Sequence, residues 1–162
     1  MTDSEPAPDV EILDTGTCWQ LLRGVSVGRL AVRVRDHPDI FPINYAVDQE
    51  TLVFRSGPGT KLDAILNGSA VALEADGVDA ATGVAWSVVV KGPAKAVQPG
   101  QDLSESVTLR LFPWHAGPKE SFIRIVPGSV TGRRFVVVPP RIWWHPLNAP
   151  GSESTFKQPG QP

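Results

Sequence analysis

Cysteine is almost missing from this chain: Cys18 stands alone among 162 residues. One cysteine excludes an intrachain disulfide and a cysteine-built zinc site, and it fits a reducing compartment. Long apolar runs are missing too, and no segment approaches the roughly 20 apolar positions of a membrane-spanning helix. Residues 1–14 carry five acidic side chains and no apolar stretch of leader-peptide length. Nor is there an excess of positive charge. Fifteen Lys and Arg stand against 17 Asp and Glu, for a net charge of -2. Nucleic-acid affinity rests largely on neutralising phosphates, so no nucleic-acid partner is expected. No internal repeat, GxxxxGK[ST] phosphate loop, Ser-His-Asp order or paired-carboxylate site is present. The expectation is a soluble cytoplasmic protein with no membrane partner.

What is present suits one domain. A chain of this length can bury a core without metal or disulfide. Residues 1–14 are polar and read as a flexible tail, 15–138 as the domain, and 139–162, rich in Pro, Gly and Ser, as a second tail. Trp143 and Trp144 interrupt that tail, and two adjacent indoles call for a docking surface. Asp14 to Thr17 offers helix-capping chemistry ahead of Cys18–Leu22. Val27 to Arg35 alternates Leu30, Val32 and Val34 with Arg29, Arg33 and Arg35, the period of a half-buried strand. A turn over Asp36–Asp39 precedes a strand over Ile40–Val47, and a tight hairpin at Asp48–Glu50 leads into Thr51–Arg55. A short helix over Lys61–Asn67, ended by Gly68, precedes a strand over Ser69–Ala75 and a solvent loop over Asp76–Gly83. Trp86–Val97 is the longest strand, with a bulge or kink expected at Gly92-Pro93. A helix over Asp102–Leu111 and strands over Phe122–Val126 and Ser129–Val138 complete the domain. Short strands with regular turn signals predict a sandwich or barrel.

One segment carries chemistry. In Phe54-Arg55-Ser56-Gly57-Pro58-Gly59-Thr60-Lys61-Leu62 a strand ends in an arginine, a glycine-rich turn follows, and a helix opens at a threonine and a lysine. A helix N-terminus presents backbone N–H groups and partial positive charge. Glycines let that backbone approach a ligand. Arg55 adds a forked donor, Lys61 a point charge, and Ser56 and Thr60 hydroxyls, a set suited to a terminal phosphate. Read locally, the same residues also make an ordinary capped strand-to-helix turn with solvated cations.

The order of segments around it resembles the pyridoxamine 5′-phosphate oxidase-like, flavin-binding split-barrel family, in its small actinobacterial-type branch. The stretches that carry the resemblance are Val27–Val32, Pro42-Ile43-Asn44-Tyr45, Val53–Ser56 with Gly59–Leu62, and Trp86–Gly92. Together they cover roughly residues 15 to 136 in order. The resemblance implies a mainly β fold, a six-stranded antiparallel Greek-key split barrel that forms a homodimer with flavin sites at the interface. It implies that Arg55, Ser56, Thr60 and Lys61, within Phe54–Leu62, hold the phosphate of FMN. Pro42, Ile43, Asn44 and Tyr45 would line the flavin ring, partly through backbone groups, and Trp86, Ser87 and Val88 would flank the same pocket. Trp114 and Arg133 would come from the partner chain.

Blander roles stand beside these. Tyr45 can cap a strand edge through its hydroxyl, Trp86 can pack in the core, His37 and His115 can be solvated, and Cys18 can be a small buried apolar residue. The substrate-binding arginine and histidine motif that ends true pyridoxamine phosphate oxidases is missing, so that activity is not expected. Three functions remain: an FMN-dependent oxidoreductase, a reductase using the deazaflavin coenzyme, and a non-catalytic flavin-binding or storage dimer.

Overall fold

The computed structural model describes residues 10–111 and 121–137. Trp114, His115, the Phe112–Glu120 loop, Trp143-Trp144 and residues 1–9 and 138–162 lie outside them. Helix α1 (Thr15–Gly24) begins where Asp14 accepts hydrogen bonds from the Thr17 N–H (2.9 Å) and hydroxyl (2.7 Å). These caps satisfy donors that the first turn cannot pair internally. Cys18, Trp19 and Leu22 form the buried face of the helix. Residues 11–14 were read as tail, yet Glu11–Leu13 is strand β1 and buries Leu13.

The strands that follow are β2 (Val27–Val34), β3 (His37–Asp48), β4 (Thr51–Ser56), β5 (Ala70–Asp79), β6 (Val84–Val97), β7 (Ser121–Ile125) and β8 (Ser129–Val136). Their order is β1-β8-β6-β5-β2-β3-β4-β7, and a further β6–β7 pairing closes six of them into an antiparallel barrel. Alternation fills the barrel: Leu30, Leu52, Phe54, Leu73, Val88, Val90, Ile123 and Ile125 are fully buried inside it. Helix α2 (Thr60–Leu66) buries Ala64 and Ile65 against that core. Helix α3 (Glu105–Arg110) instead covers a second cluster on the outer wall, built around Ala46, Val53, Val97, Val107 and Phe122.

Three boundaries differ from the sequence expectation, each for a local reason. Asp36–Asp39 is not the turn; Arg35 (φ 58°) and Asp36 turn, and β3 already starts at His37. The Tyr45 N–H donates to Ser26 O (2.9 Å), so odd-numbered residues of β3 direct their backbone groups at β2. Even-numbered residues face away, and pairing with β4 begins only at Tyr45. Pro38 and Pro42 therefore lack an N–H only on an edge with no ladder, where proline belongs in a sheet. The first half of the expected loop over Asp76–Gly83 is strand, since β5 continues to Asp79. Gly77 is needed there because an added Cβ would lie 2.7 Å from the indole nitrogen of Trp86.

The third difference is at Gly92-Pro93. No bulge interrupts the β5–β6 register, which runs unbroken from Asp79↔Val84 to Ala70↔Pro93. What changes there is the neighbour on the other side. Residues 84–91 pair with β8 and residues 94–97 with β7. The crossing strand is clamped by Val126 N–H to Pro93 O (3.0 Å) and Gly128 N–H to Lys91 O (2.8 Å). Pro93 thus loses its donor at the junction between two partners, and a Cβ on Gly92 would lie 2.0 Å from Val126 O. Gly92→Ala is expected to destabilise the chain by about 3 kcal/mol or more, whereas Gly24→Ala, with open space around it, stays within about 0.5 kcal/mol. Denaturant melts of the two variants check this.

Candidate functional site

The Arg55–Leu62 turn joins the end of β4 to α2. Ser56 is the last strand residue, 4 % exposed, and its hydroxyl donates to Gly57 O (3.3 Å). Gly59 sits at φ 137°, a conformation that side chains rarely tolerate, and serves as the N-cap of α2 without a side-chain bond. The first intrahelical bond runs from Asp63 N–H to Gly59 O (3.1 Å). The N–H groups of Thr60, Lys61 and Leu62 precede it and have no acceptor within the helix. A Cβ added at Gly57 or Gly59 would meet nothing within 4 Å, so space is open above the turn.

Two aromatic rings seat the two cations. The Arg55 guanidinium lies 5.2 Å from the centre of the Phe122 ring, and Lys61 Nζ lies 4.9 Å from that of Phe41. Partial burial pushes the Lys61 pKa below its ordinary value, because desolvation penalises the ammonium. Among the described residues Lys61 makes no ion pair. Neither phenylalanine is distinguishable from ordinary core in the sequence; only the rotation of β3 and β7 brings them under the cations.

Beside the turn, β3 and β4 part company. Their register ends at Tyr45↔Phe54, and one step further along come Asn44 and Arg55. Asn44 and Pro42 are exposed on the outer wall, and their backbone groups face the side that β4 has left. The site therefore combines a cationic turn, a helix N-terminus and an open strand edge. That donor set fits a phosphate monoester attached to a flat, hydrogen-bonding ring.

Other predicted contributors are placed differently. Ile43, Tyr45, Phe54 and Val88 point into the barrel core and can offer only backbone to a ligand. The Tyr45 hydroxyl donates to Leu22 O (2.9 Å), tying β3 to α1, and burial raises its pKa well above the ordinary phenol value. Leu62 is half-buried against the same core. Trp86 lies over Gly77 and packs at the core margin. Ser87 and Arg133 face each other across β6 and β8, and together they line an open cleft of about 310 Å³. Trp86, Ser87 and Val88 lie on the half of β6 that pairs with β8, whereas residues 94–97 of the same strand pair with β7, the neighbour of β4. Arg133, expected from a partner chain, stands opposite Ser87 in its own chain. On β2, Arg29, paired with Pro42, holds Glu74 (2.8 Å) and Asp76 (2.9 Å) in an ion cluster that the sequence did not mark.

Fold and site together define a split-barrel protein with a cationic, glycine-rich turn between β4 and α2. The chain belongs to the pyridoxamine 5′-phosphate oxidase family, whose model matches residues 14–134. It is 40% identical to a solved FAD binding protein from Mycobacterium smegmatis, with a TM-score of 0.66 over 77% of this chain and 99% of that one. A FAD-binding protein from Mesorhizobium loti is 26% identical, with a TM-score of 0.69 over 81% and 100% of the two chains. A curated Mycobacterium tuberculosis protein, itself uncharacterized, is 31% identical over 82% of this chain and 90% of its own length.

Tyr45→Phe is expected to cost about 1–3 kcal/mol, because Leu22 O is left buried without its donor. Thermal unfolding checks the loss, and an unchanged melting curve would remove Tyr45 from its role as the α1–β3 tie.

Proposed function

We propose that this chain is a flavin nucleotide-binding protein with oxidoreductase function toward a small organic acceptor. The observation that carries the reading is the convergence of Arg55, Ser56, Thr60 and Lys61 with three helix-end N–H groups, beside the exposed edge at Pro42 and Asn44. Arg55 grips two phosphate oxygens, Lys61 neutralises charge, and the hydroxyls of Ser56 and Thr60 complete the shell. The Asn44 N–H and Pro42 C=O read the polar edge of the ring. A bound flavin supplies hydride and electron transfer, and the chain supplies position and local electrostatics. No general acid or base is assigned.

A homodimer fits the outer wall. Ile40 and Val27, 68% and 57% exposed, flank Pro42 and Ala31 on a face with small and apolar residues. The proposed cofactor is FMN. FAD is the second reading, favoured by the two FAD-binding relatives, and the deazaflavin coenzyme is a third. The single cysteine, buried Cys18, supports a cytoplasmic setting. Among the described residues no helix is long and apolar enough to cross a membrane.

Absorbance of the purified protein, followed by chromatography of the released cofactor, distinguishes FMN, FAD and deazaflavin; a chain that takes up none of them at micromolar concentration ends the reading. Replacing Arg55 and Lys61 together by alanine should weaken FMN roughly 100-fold or more, since each charge-assisted contact is worth about 1.5–3 kcal/mol. Riboflavin, which lacks the phosphate, should lose under about threefold. Equal losses would move the phosphate elsewhere.

The pH dependence has a definite sign. Phosphate binding favours protonated Lys61 and raises its pKa in the complex above that of the free protein. Its contribution is complete below the free-state pKa and fades as pH rises through the bound-state value. FMN affinity should therefore fall in the alkaline range relative to riboflavin, and Lys61→Ala should abolish that difference. Fluorescence titration of both ligands measures it.

A further inference from the structure

A second cationic cavity lies away from the turn. About 270 Å³ in volume, it is enclosed by the C-terminal turns of α1 and α3 and by β3, and includes Arg23, Val25, Ser26, Ala46, Val47 and Arg110 in its wall. Two arginines line it and, among the described residues, no carboxylate does, in a chain whose net charge is -2. The Arg23 group is held in place by its bond to Gln49 O (2.8 Å). Asp48, which follows Val47 at the end of β3, is engaged by Arg124 (2.6 Å). Arg110 has no ion pair among the described residues. Between the two cations the wall is mixed: Val25 and the Ala46-Val47 stretch of β3 stand beside Ser26 and backbone polar groups.

We infer that this cavity binds a small organic carboxylate, its oxygens between Arg23 and Arg110 and its body against the mixed wall of Val25, Ser26 and the Ala46-Val47 stretch. Guanidinium forks match the two oxygens of a carboxylate. The volume lies just below the usual range of ligand pockets, which suits a small anion. The site is separate from the Arg55–Leu62 turn and does not depend on the flavin reading.

The test is a titration of the full-length protein with benzoate, followed by amide chemical shifts and calorimetry. Saturable binding with Kd on the order of 1 mM or tighter is expected, with shifts centred on residues 22–26 and 45–47. Arg110→Gln and Arg23→Gln should each weaken it about tenfold, the loss of one charge-assisted contact. The Arg55→Ala, Lys61→Ala double variant should bind benzoate unchanged, and benzyl alcohol, the neutral analogue, should not bind. If Arg23→Gln unfolds the chain through its lost contact with Gln49, Arg110→Gln alone decides. The proposal is overturned if benzoate fails to saturate by about 10 mM, or if the shifts centre on residues 55–62. Insensitivity to Arg110→Gln, or equal binding of inorganic phosphate or benzyl alcohol, overturns it as well.

Discussion

The whole molecule turns on the exchange of partners along β6. One edge of that strand is paired with β5 over residues 84–93, while the other is shared between β8 and β7. The change falls at Gly92-Pro93, where the crossing chain needs the space of a missing Cβ and the strand can spare a donor. Without that exchange the six strands could not close while leaving β8 and β1 as an extension. Closure matters because it removes sheet edges, and an edge left open invites pairing with another chain. The barrel core is the consequence, with side chains from all six strands meeting inside it.

Closure also sets the site. A closed barrel forces its strands to tilt and stagger, so β4 leaves β3 before β3 has ended. That early departure creates the open edge at Pro42 and Asn44 and throws the chain into the Gly57–Gly59 turn. The helix that follows is anchored by Ala64 and Ile65 in the barrel, and this burial holds its N-terminus against the edge. Arg55 and Lys61 end up over Phe122 and Phe41, rings contributed by strands far apart in sequence. A cation seated on an aromatic face is restrained without losing its charge, which suits a group that must meet an anionic ligand.

Much of this was legible beforehand where the chemistry is local. The alternation of Leu30, Val32 and Val34, the capping residues at Asp14 and Thr17, and the arginine–glycine–threonine–lysine order at 55–61 each reflect rules that act over a few residues. Gly68, at φ 88°, ends α2 as its position suggested. The misreadings share a cause. Pro38, Asp76 and Gly77 carry the local signature of turns yet lie within strands, and Pro93 sits in its strand without the expected break in the β5 register. Each is tolerated by a neighbour: an edge with no ladder, an Arg29 guanidinium, a Trp86 indole, or a change of strand partner. None of these neighbours is close in sequence, so no local rule could have supplied them.

By itself, then, the sequence determined the β-rich class, the family and the cationic turn, because periodicity, composition and short motifs are local properties. Only the tertiary structure decided which faces those motifs show. It sent Tyr45, Phe54 and Val88 into the core, set Ser87 and Arg133 opposite each other on β6 and β8, and gathered Arg23 and Arg110 from separate helices around one cavity. Side-chain direction in a closed barrel follows from register and curvature, and both are fixed by pairings between segments tens of residues apart.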